Sequence, residues 1–367
     1  MRSKRIAPAF ETRAFRYAVG ASIAAVLLAL VAVPTQPAVG SEPEKKSPTA
    51  EKQPPPASKG EPERAKDKNS GKDKDKGKDE VKIPKPEDLT VQTGDGLYLF
   101  LTYYPGLRGK QTIPIVLLHG WKQSRNDYKD LALGLQALGY AVIVPDLRGH
   151  GESTRMKGGR RDDVLDAAKM PATQFTLMVR QDMKAIKDFV WARNNAGELN
   201  IDKLCVVGAE MGASVALGFA AYDAVGYDVG MTFYGPLKLG RFVKSLVLIS
   251  PKWKFTGLPL TAAISNPAVQ KDISMLILVG KQDPRAMAEA TRIHGIFARS
   301  HPEPEGDDKI DKQTLFLGRL DTSLQGTKLL DPKFNVQGLI ADFVYRRLTK
   351  SDESKEWVWK QRKFPHQ

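Results

Sequence analysis

The sequence predicts an α/β fold, with a doubly wound, mostly parallel sheet of about eight strands and helices on both faces. Two observations predict it. Apolar runs such as IPIVLLHGW (113–121) and SMLILVGKQDP (274–284) are typical of parallel strands that are covered on both faces. Segments with helical spacing lie between these runs, and strands that alternate with helices require crossover connections, which produce a parallel sheet.

The first 40 residues have the three-part layout of an export signal. Residues 1–17 are basic, residues 18–33 carry no charge, and small residues follow as far as Gly40. The apolar run is shorter than the roughly 20 residues of a membrane span. We therefore favour a signal peptide over an uncleaved N-terminal membrane anchor. In either case we expect the folded part to leave the cytoplasm and to be periplasmic, or membrane-anchored and facing outward.

Residues 41–84 predict a disordered, charged and proline-rich linker. Apolar residues are almost absent there, so the segment cannot bury enough surface to offset its chain entropy. The formal net charge of the chain is +14. Part of this charge lies before the apolar run and the rest is spread out, so we expect no nucleic-acid partner. The single cysteine, Cys205, excludes an intrachain disulfide.

The folded domain is predicted over residues 85–350. It begins with a β-hairpin, formed by LTVQT (89–93) and LYLFLTYY (97–104) around Gly94-Asp95-Gly96. Further strands are predicted in 113–121, in 140–153 together with its exit loop, and in 204–207, 245–251, 274–284 and 312–320. Helices are predicted near 127–138, 176–194, 284–299 and 326–348 and from Met211 onward.

Three irregular inserts and the C-terminal tail complete the domain. We expect the inserts at 154–173, 222–243 and 252–270 to lie where the strands end, as a lid over a pocket would. The tail, residues 351–367, is basic and aromatic. We expect it to pack back on the domain rather than to contact a membrane surface.

The chain is organised around LCVVGAEMGASVAL (204–217), which predicts a strand, a sharp turn and a helix. Gly208 and Gly212 flank the turn, where a side chain would collide with the neighbouring strand or helix. The pattern is that of the G-x-S-x-G nucleophile elbow, but the residue at its centre is Glu210.

Four motifs resemble the α/β-hydrolase family. They are LLHGW (117–121), PDLRGHGES (145–153), the turn around Glu210, and VGKQDP (279–284). The resemblance implies an α/β-hydrolase fold and esterase-like chemistry. It also implies that the backbone N–H groups of Trp121 and Met211 form an oxyanion hole, and that His119, Gly120, Gly208 and Gly212 belong to the structural motifs.

The resemblance also assigns three triad positions, and two hold the wrong residue. Glu210 stands where the family has its serine nucleophile, and Gln325 stands where it has its histidine. Asp283 matches the acidic member. An amide cannot accept a proton near neutral pH, so the base is missing. We further expect the carboxylate of Glu210 to occupy the oxyanion hole, against the N–H groups of Trp121 and Met211.

The five histidines offer no clear replacement for the base. His119 and His150 belong to the motifs, His294 lies within a predicted helix, and His366 is next to the C-terminus. His301 precedes the last predicted strand and is the least implausible substitute.

We therefore predict an exported, catalytically degenerate hydrolase that acts as a binding or scaffold module, with an unknown small molecule or no ligand. The alternative is an active esterase-like hydrolase with a non-standard site that uses Glu210 and Asp283 in one pocket, with Gln325 bridging or separating them. We predict no cofactor. We predict no metal either, because no cluster of His and Cys supports one. Membrane attachment, if any, would use the N-terminus.

Overall fold

The computed structural model describes residues 82–160, 163–232, 235–258 and 260–362. The predicted signal or anchor and all of the linker except its last three residues lie outside the described residues. Among the described residues, no helix combines the length and the apolar character that crossing a bilayer requires.

Ten strands and ten α-helices follow one another along the described chain. The strands are β1 (Glu87–Gln92), β2 (Tyr98–Tyr104), β3 (Pro114–Leu118), β4 (Ala141–Pro145), β5 (Leu204–Ala209), β6 (Tyr227–Thr232), β7 (Gly235–Leu239), β8 (Val243–Ile249), β9 (Ser274–Gly280) and β10 (Leu315–Leu320). The helices are α1 (Lys129–Ala137), α2 (Ala172–Leu177), α3 (Met183–Asn195), α4 (Met211–Val225), α5 (Leu260–Ile264), α6 (Pro267–Lys271), α7 (Pro284–Phe297), α8 (Lys309–Lys312), α9 (Val336–Tyr345) and α10 (Glu353–Glu356).

Eight strands form one sheet, in the order β1-β2-β4-β3-β5-β8-β9-β10. The six strands from β4 to β10 in that order run parallel, whereas β1 and β2 form the antiparallel edge. The predicted hairpin, the number of strands and the mostly parallel arrangement are confirmed. This is the α/β-hydrolase fold that the motifs implied.

The central strands are buried on both faces, as their continuous apolar runs predicted. Successive side chains of a strand point to opposite faces. Leu118 therefore packs in one apolar core with Trp191 of α3, and Leu117 packs in the other with Ile340 of α9. Two separate cores hold the sheet between its helix layers, so the carboxyl ends of its strands form a fixed edge.

Two predicted helices are interrupted. The segment predicted as 176–194 begins as α2, passes through a π-helical turn at Met178–Asp182 and continues as α3. The segment predicted as 326–348 starts as two 3₁₀ turns, and α9 begins only at Val336. Asp331 precedes Pro332 and has an extended ψ of 127°, because a residue before proline is disfavoured in the α conformation.

The expectation that all three inserts lie where the strands end is wrong for residues 222–243. These residues run from the last turn of α4 to the start of β8 and include the β6–β7 hairpin. In a parallel α/β sheet a helix returns to the edge where the next strand begins. The hairpin therefore belongs to the edge opposite Glu210.

The tail packs on the domain as far as Arg362. The indole of Trp359 donates to the carbonyl of Asn194 at 3.1 Å, and the side chain of Asn200 donates to the carbonyl of Trp357 at 2.8 Å. These hydrogen bonds tie the tail to the end of α3 and the turn that precedes β5.

We predict that Gly212→Ala strongly destabilises the fold. A Cβ at this position would lie within overlap distance of the carbonyl groups of Leu118 and His119. These are backbone atoms that cannot rotate away. Overpacking of this kind costs about 1–3 kcal/mol or more, and urea denaturation would measure it as a lower midpoint.

Gly295→Ala is the matched control. Gly295 lies within α7, and an added Cβ would meet no atom within 4 Å. Because alanine is a better helix former by about 1 kcal/mol, this variant should be as stable as the native chain or more stable. Equal effects of the two variants would contradict the close approach at Gly212.

Candidate functional site

Glu210 lies in a strained turn at the carboxyl end of β5. Its φ of 48° and ψ of −105° are unusual for a residue with a side chain. Its backbone N–H donates to the carbonyl of Ile249 in β8 at 2.9 Å, which anchors the turn to the sheet. α4 begins at the next residue. The turn therefore presents one side chain above the edge of the sheet, as the Gly208 and Gly212 pattern predicted.

The carboxylate of Glu210 pairs with Lys252. Its Oε1 lies 3.2 Å from Nζ of Lys252, and the two side chains are 25% and 44% exposed. Solvent screens a pair this exposed, so it contributes about 1 kcal/mol or less. No sequence motif indicated Lys252. It follows β8 by three residues, and the carboxyl ends of neighbouring parallel strands meet at one edge, so its position could have suggested the contact.

Two glycines form the walls around the carboxylate. A Cβ on Gly120 would lie 3.0 Å from Oε2 of Glu210, and one on Gly326 would lie 3.2 Å from its Cδ. Gly326 also has a φ of 62°, which favours glycine. The space at the elbow therefore accommodates the glutamate side chain only because positions 120 and 326 are glycines.

The expectation that Glu210 fills an oxyanion hole is wrong for the described residues. Neither the N–H of Trp121 nor that of Met211 donates to its carboxylate, and Glu210 does not cap α4 with its side chain. Its Oε1 lies 3.2 Å from the ammonium group of Lys252 instead. The indole of Trp121 reaches the carbonyl of Ala167 at 3.4 Å.

Gln325 is held by backbone and hydroxyl groups rather than by Glu210 or Asp283. Its Nε2 donates to the carbonyl of Gly280 at 2.9 Å, and its Oε1 accepts from the hydroxyl of Ser250 at 2.7 Å. The same hydroxyl accepts from the N–H of Gly326 at 2.9 Å. The amide therefore joins the ends of β8 and β9 to the loop after β10, and it does not bridge the two carboxylates.

Asp283 is a helix cap. Its Oδ1 accepts from the backbone N–H groups of Arg285 and Ala286 at 2.9 and 3.0 Å, at the start of α7. In the part of the chain that the structure describes, it makes no hydrogen bond or ion pair with Glu210 or Gln325. The described residues therefore give no direct link between the two carboxylates, because the cap holds Asp283 against its own helix.

His119 has a structural role. Its Nδ1 donates to the carbonyl of Gly120 at 2.8 Å, and its Nε2 accepts from the N–H of Leu147 at 2.9 Å. These two bonds define the neutral imidazole. Burial, which outweighs the Gly120 hydrogen bond, lowers the pKa of His119 from 6.5 to about 4. The ring therefore stays neutral near pH 7 and holds the LLHGW motif against the PDLRGHGES motif.

No other described histidine reaches the elbow. Nδ1 of His150 lies 2.9 Å from the carbonyl of Arg148. Nδ1 of His301 lies 2.7 Å from the hydroxyl of Thr314, just before β10 begins, so His301 is at the opposite edge and cannot replace the base. His366 lies outside the described residues. Within residues 82–160, 163–232, 235–258 and 260–362, no group of His, Cys, Asp and Glu is arranged to hold a metal.

A buried ionic network behind the PDLRGHGES motif was not foreseen. The side chain of Arg148 is fully buried and pairs with Asp182 at 2.7 Å and with Asp95 at 2.6 Å. Asp182 belongs to the π-helical turn and Asp95 to the first hairpin. The network joins three distant segments, and it fixes the loop that follows β4.

Comparison with known proteins agrees with this fold. The family model described as serine aminopeptidase, S33, matches residues 110–293. The non-heme chloroperoxidase of Streptomyces lividans is 36% identical over 78 residues, which are 21% of this chain and 27% of that protein. The soluble epoxide hydrolase of Corynebacterium sp. is 36% identical over 110 residues, 30% of each chain. Esterase YjfP of Escherichia coli is 34% identical over 32% of this chain and 44% of that protein.

These matches cover less than half of each curated relative. Among solved structures, a carboxyl esterase from Bacillus coagulans in complex with glycerol aligns with a TM-score of 0.50 and 13% identity. The alignment covers 72% of this chain and 99% of that one. Such similarity shows the fold alone.

We predict that protonation of His119 weakens the fold in mild acid. The folded-state pKa is lowered from 6.5 to about 4, so the unfolded chain takes up the proton first as the pH falls. The stability is complete above pH 6.5 and is lost between 6.5 and 4, by up to about 3 kcal/mol at 1.36 kcal/mol per pH unit. Urea denaturation at pH 7 and 5 would measure the decrease.

His119→Gln is the control for this pH dependence, because the amide of the introduced glutamine does not titrate. The variant should be less stable at pH 7, but its free energy of unfolding should fall less between pH 7 and 5. Parallel curves for the native chain and the variant would show that His119 is not the titrating group.

Proposed function

We infer the function of this chain from its family, because it belongs to the α/β-hydrolases described as serine aminopeptidase, S33. We propose that it is a degenerate member, in which Glu210 replaces the nucleophile and Gln325 replaces the base. The remaining site would serve as a binding module. From the activities named for the relatives we infer only the class of molecule that this site would bind, and not a reaction.

The Glu210–Lys252 ion pair is the observation that supports this proposal most strongly. A carboxylate held by an ammonium group is a weaker nucleophile than a free one. Even if it attacked an ester, the covalent intermediate would need a base to activate water. Within the described chain, no imidazole contacts Glu210, and the amide of Gln325 cannot accept a proton.

The contacts of Asp283, at the position of the triad acid, also support the proposal of a degenerate site. A triad acid works by orienting the histidine and stabilising its cation. Oδ1 of Asp283 accepts from the backbone N–H groups of Arg285 and Ala286. The amide of Gln325 bonds to Ser250 and Gly280. These contacts support a structural rather than a catalytic role for Asp283 and Gln325. The alternative, an active hydrolase that uses Glu210 with Asp283, gains no support from this geometry.

We predict that the native chain does not hydrolyse p-nitrophenyl acetate or butyrate above the buffer rate, and that Glu210→Ser is also inert. Glu210→Ser combined with Gln325→His should turn over. A general base contributes about 10²–10⁴-fold, and we expect the low end because Asp283 would not orient the new imidazole. Release of p-nitrophenolate would be followed by its visible absorbance.

The matched control is Glu210→Ala combined with Gln325→His, which has the new imidazole but no hydroxyl. It should remain inert. Turnover by the native chain that Glu210→Gln abolishes would contradict the proposal, because Glu210 would then be catalytic.

We also propose that the chain is exported, which rests on the pattern of residues 1–40. When the full gene is expressed in a bacterial host, the protein should be recovered outside the cytoplasm with its N-terminus near residue 41. Leu28→Arg places a charge in the apolar run and should retain the protein in the cytoplasm. Recovery of the native chain in the cytoplasm would contradict export, whereas an intact N-terminus in the membrane fraction would identify an anchor.

A further inference from the structure

A second candidate site lies beside α4. A cavity of about 200 Å³ opens between this helix, the π-helical turn at Met178–Asp182 and the insert 252–270. Most of its surface is apolar, and neither Glu210 nor Lys252 lines it. An apolar cavity of about 150 Å³ is large enough to bind benzene. The space beside α4 therefore suits a small molecule with few carbon atoms.

Small side chains on α4 leave this space open. Ser214, Gly218 and Ala221 line the cavity, and their spacing of four and three residues places them on one face of the helix. A Cβ on Gly218 would lie 3.0 Å from a methyl group of Val179, so α4 meets the π-helical turn there. The hydroxyl oxygen of Ser214 has less than 1 Å² of accessible surface. A ligand in the cavity therefore contacts apolar atoms along this wall.

The insert forms a fixed third wall. Gly257 and Leu258 line the cavity from this side. The hydroxyl of Thr176 in α2 donates to the carbonyl of Gly257 at 2.7 Å. The rings of Phe175 and Phe255 pack edge to face, with their centroids 5.4 Å apart. These contacts join the insert to α2, so the cavity is formed before any ligand binds.

Arg180 is the one charged residue among the described residues that line the cavity. Its side chain is exposed, and within the described parts of the chain its guanidinium group makes no hydrogen bond or ion pair. An arginine can lay its methylene stem along an apolar wall while its charged end stays in water. Arg180 therefore supplies a positive charge at the mouth of an apolar cavity.

These two features define the chemistry of a ligand. The apolar walls favour an aliphatic chain, because a polar group placed there would lose its hydrogen bonds to water without replacement. The guanidinium group has a planar fork of donors that matches the two oxygens of a carboxylate. A cationic head group would instead be repelled by Arg180.

We propose that this cavity binds a short-chain aliphatic carboxylate. The hydrocarbon chain lies between α4 and the insert, and the carboxylate accepts hydrogen bonds from Arg180 at the mouth. Glu210 takes no part, so the site binds its ligand independently of the elbow and extends beyond the function proposed above.

Saturation-transfer NMR titrations of the full chain at pH 7 with butyrate, hexanoate and hexylamine test the proposal. Hexanoate should bind saturably. It should bind more tightly than butyrate, by up to roughly fourfold for each added methylene that is buried. Hexylamine has the same chain with the opposite charge and should bind at least tenfold more weakly than hexanoate.

Variants of the mouth and of the interior test the two features separately. Arg180→Gln should weaken hexanoate binding about fivefold, as expected for the loss of a solvent-exposed ion pair. Arg180→Lys keeps the positive charge and should retain most of the affinity. Ala221→Phe fills the cavity from α4 and should abolish binding.

Three controls should bind hexanoate as the native chain does. Arg299→Gln removes another exposed arginine charge, Ala192→Phe adds the same ring at an exposed position of α3, and Glu210→Gln alters the elbow. If Ala221→Phe fails to fold, Arg180→Gln and Arg299→Gln decide. The proposal is overturned if hexanoate does not bind, if hexylamine binds equally well, or if either Arg180→Gln or folded Ala221→Phe binds as the native chain does. Loss of binding in Glu210→Gln would also overturn it, because the acid would then lie at the elbow.

Discussion

The close approach of three backbone segments at the turn after β5 is the constraint on which the structure depends. Neither Gly208 nor Gly212 can carry a side chain, because α4 passes over β5 and against the end of β3. This packing holds Glu210 at a positive φ, which a residue with a Cβ adopts only when its surroundings enforce it. The fold therefore stores strain at one residue and presents that residue above the sheet.

The scaffold accommodates a carboxylate at this position. Lys252 balances its charge, and Gly120 and Gly326 leave room for its length. Gln325 bonds to the hydroxyl of Ser250 and the carbonyl of Gly280, and one oxygen of Asp283 caps α7. In the function proposed above, the site keeps the shape of a catalytic centre, and Glu210 is paired with Lys252 rather than held ready for a transition state.

The parallel sheet separates this site from a cleft at its opposite edge, which Asp223 lines near the starts of β8 and β9. α4 links the two, because it begins next to Glu210 and ends two residues beyond Asp223. At 1.5 Å per residue, its length keeps them about 20 Å apart. The elbow and the cleft therefore lie at opposite edges of the sheet. The β6–β7 hairpin lies at the same edge as the cleft, where its place in the chain order puts it.

The sequence by itself determined the α/β fold, the hairpin, the strand order along the chain and the elbow with Glu210 at its centre. Apolar periodicity and glycine spacing are properties of short segments, so they are visible in the amino-acid sequence itself. The partners of the side chains were decided by the tertiary structure alone. Lys252 pairs with Glu210, Asp283 caps its own helix, and Arg148 joins two distant aspartates, because these contacts depend on which strand ends meet and on which donors lie within about 3 Å.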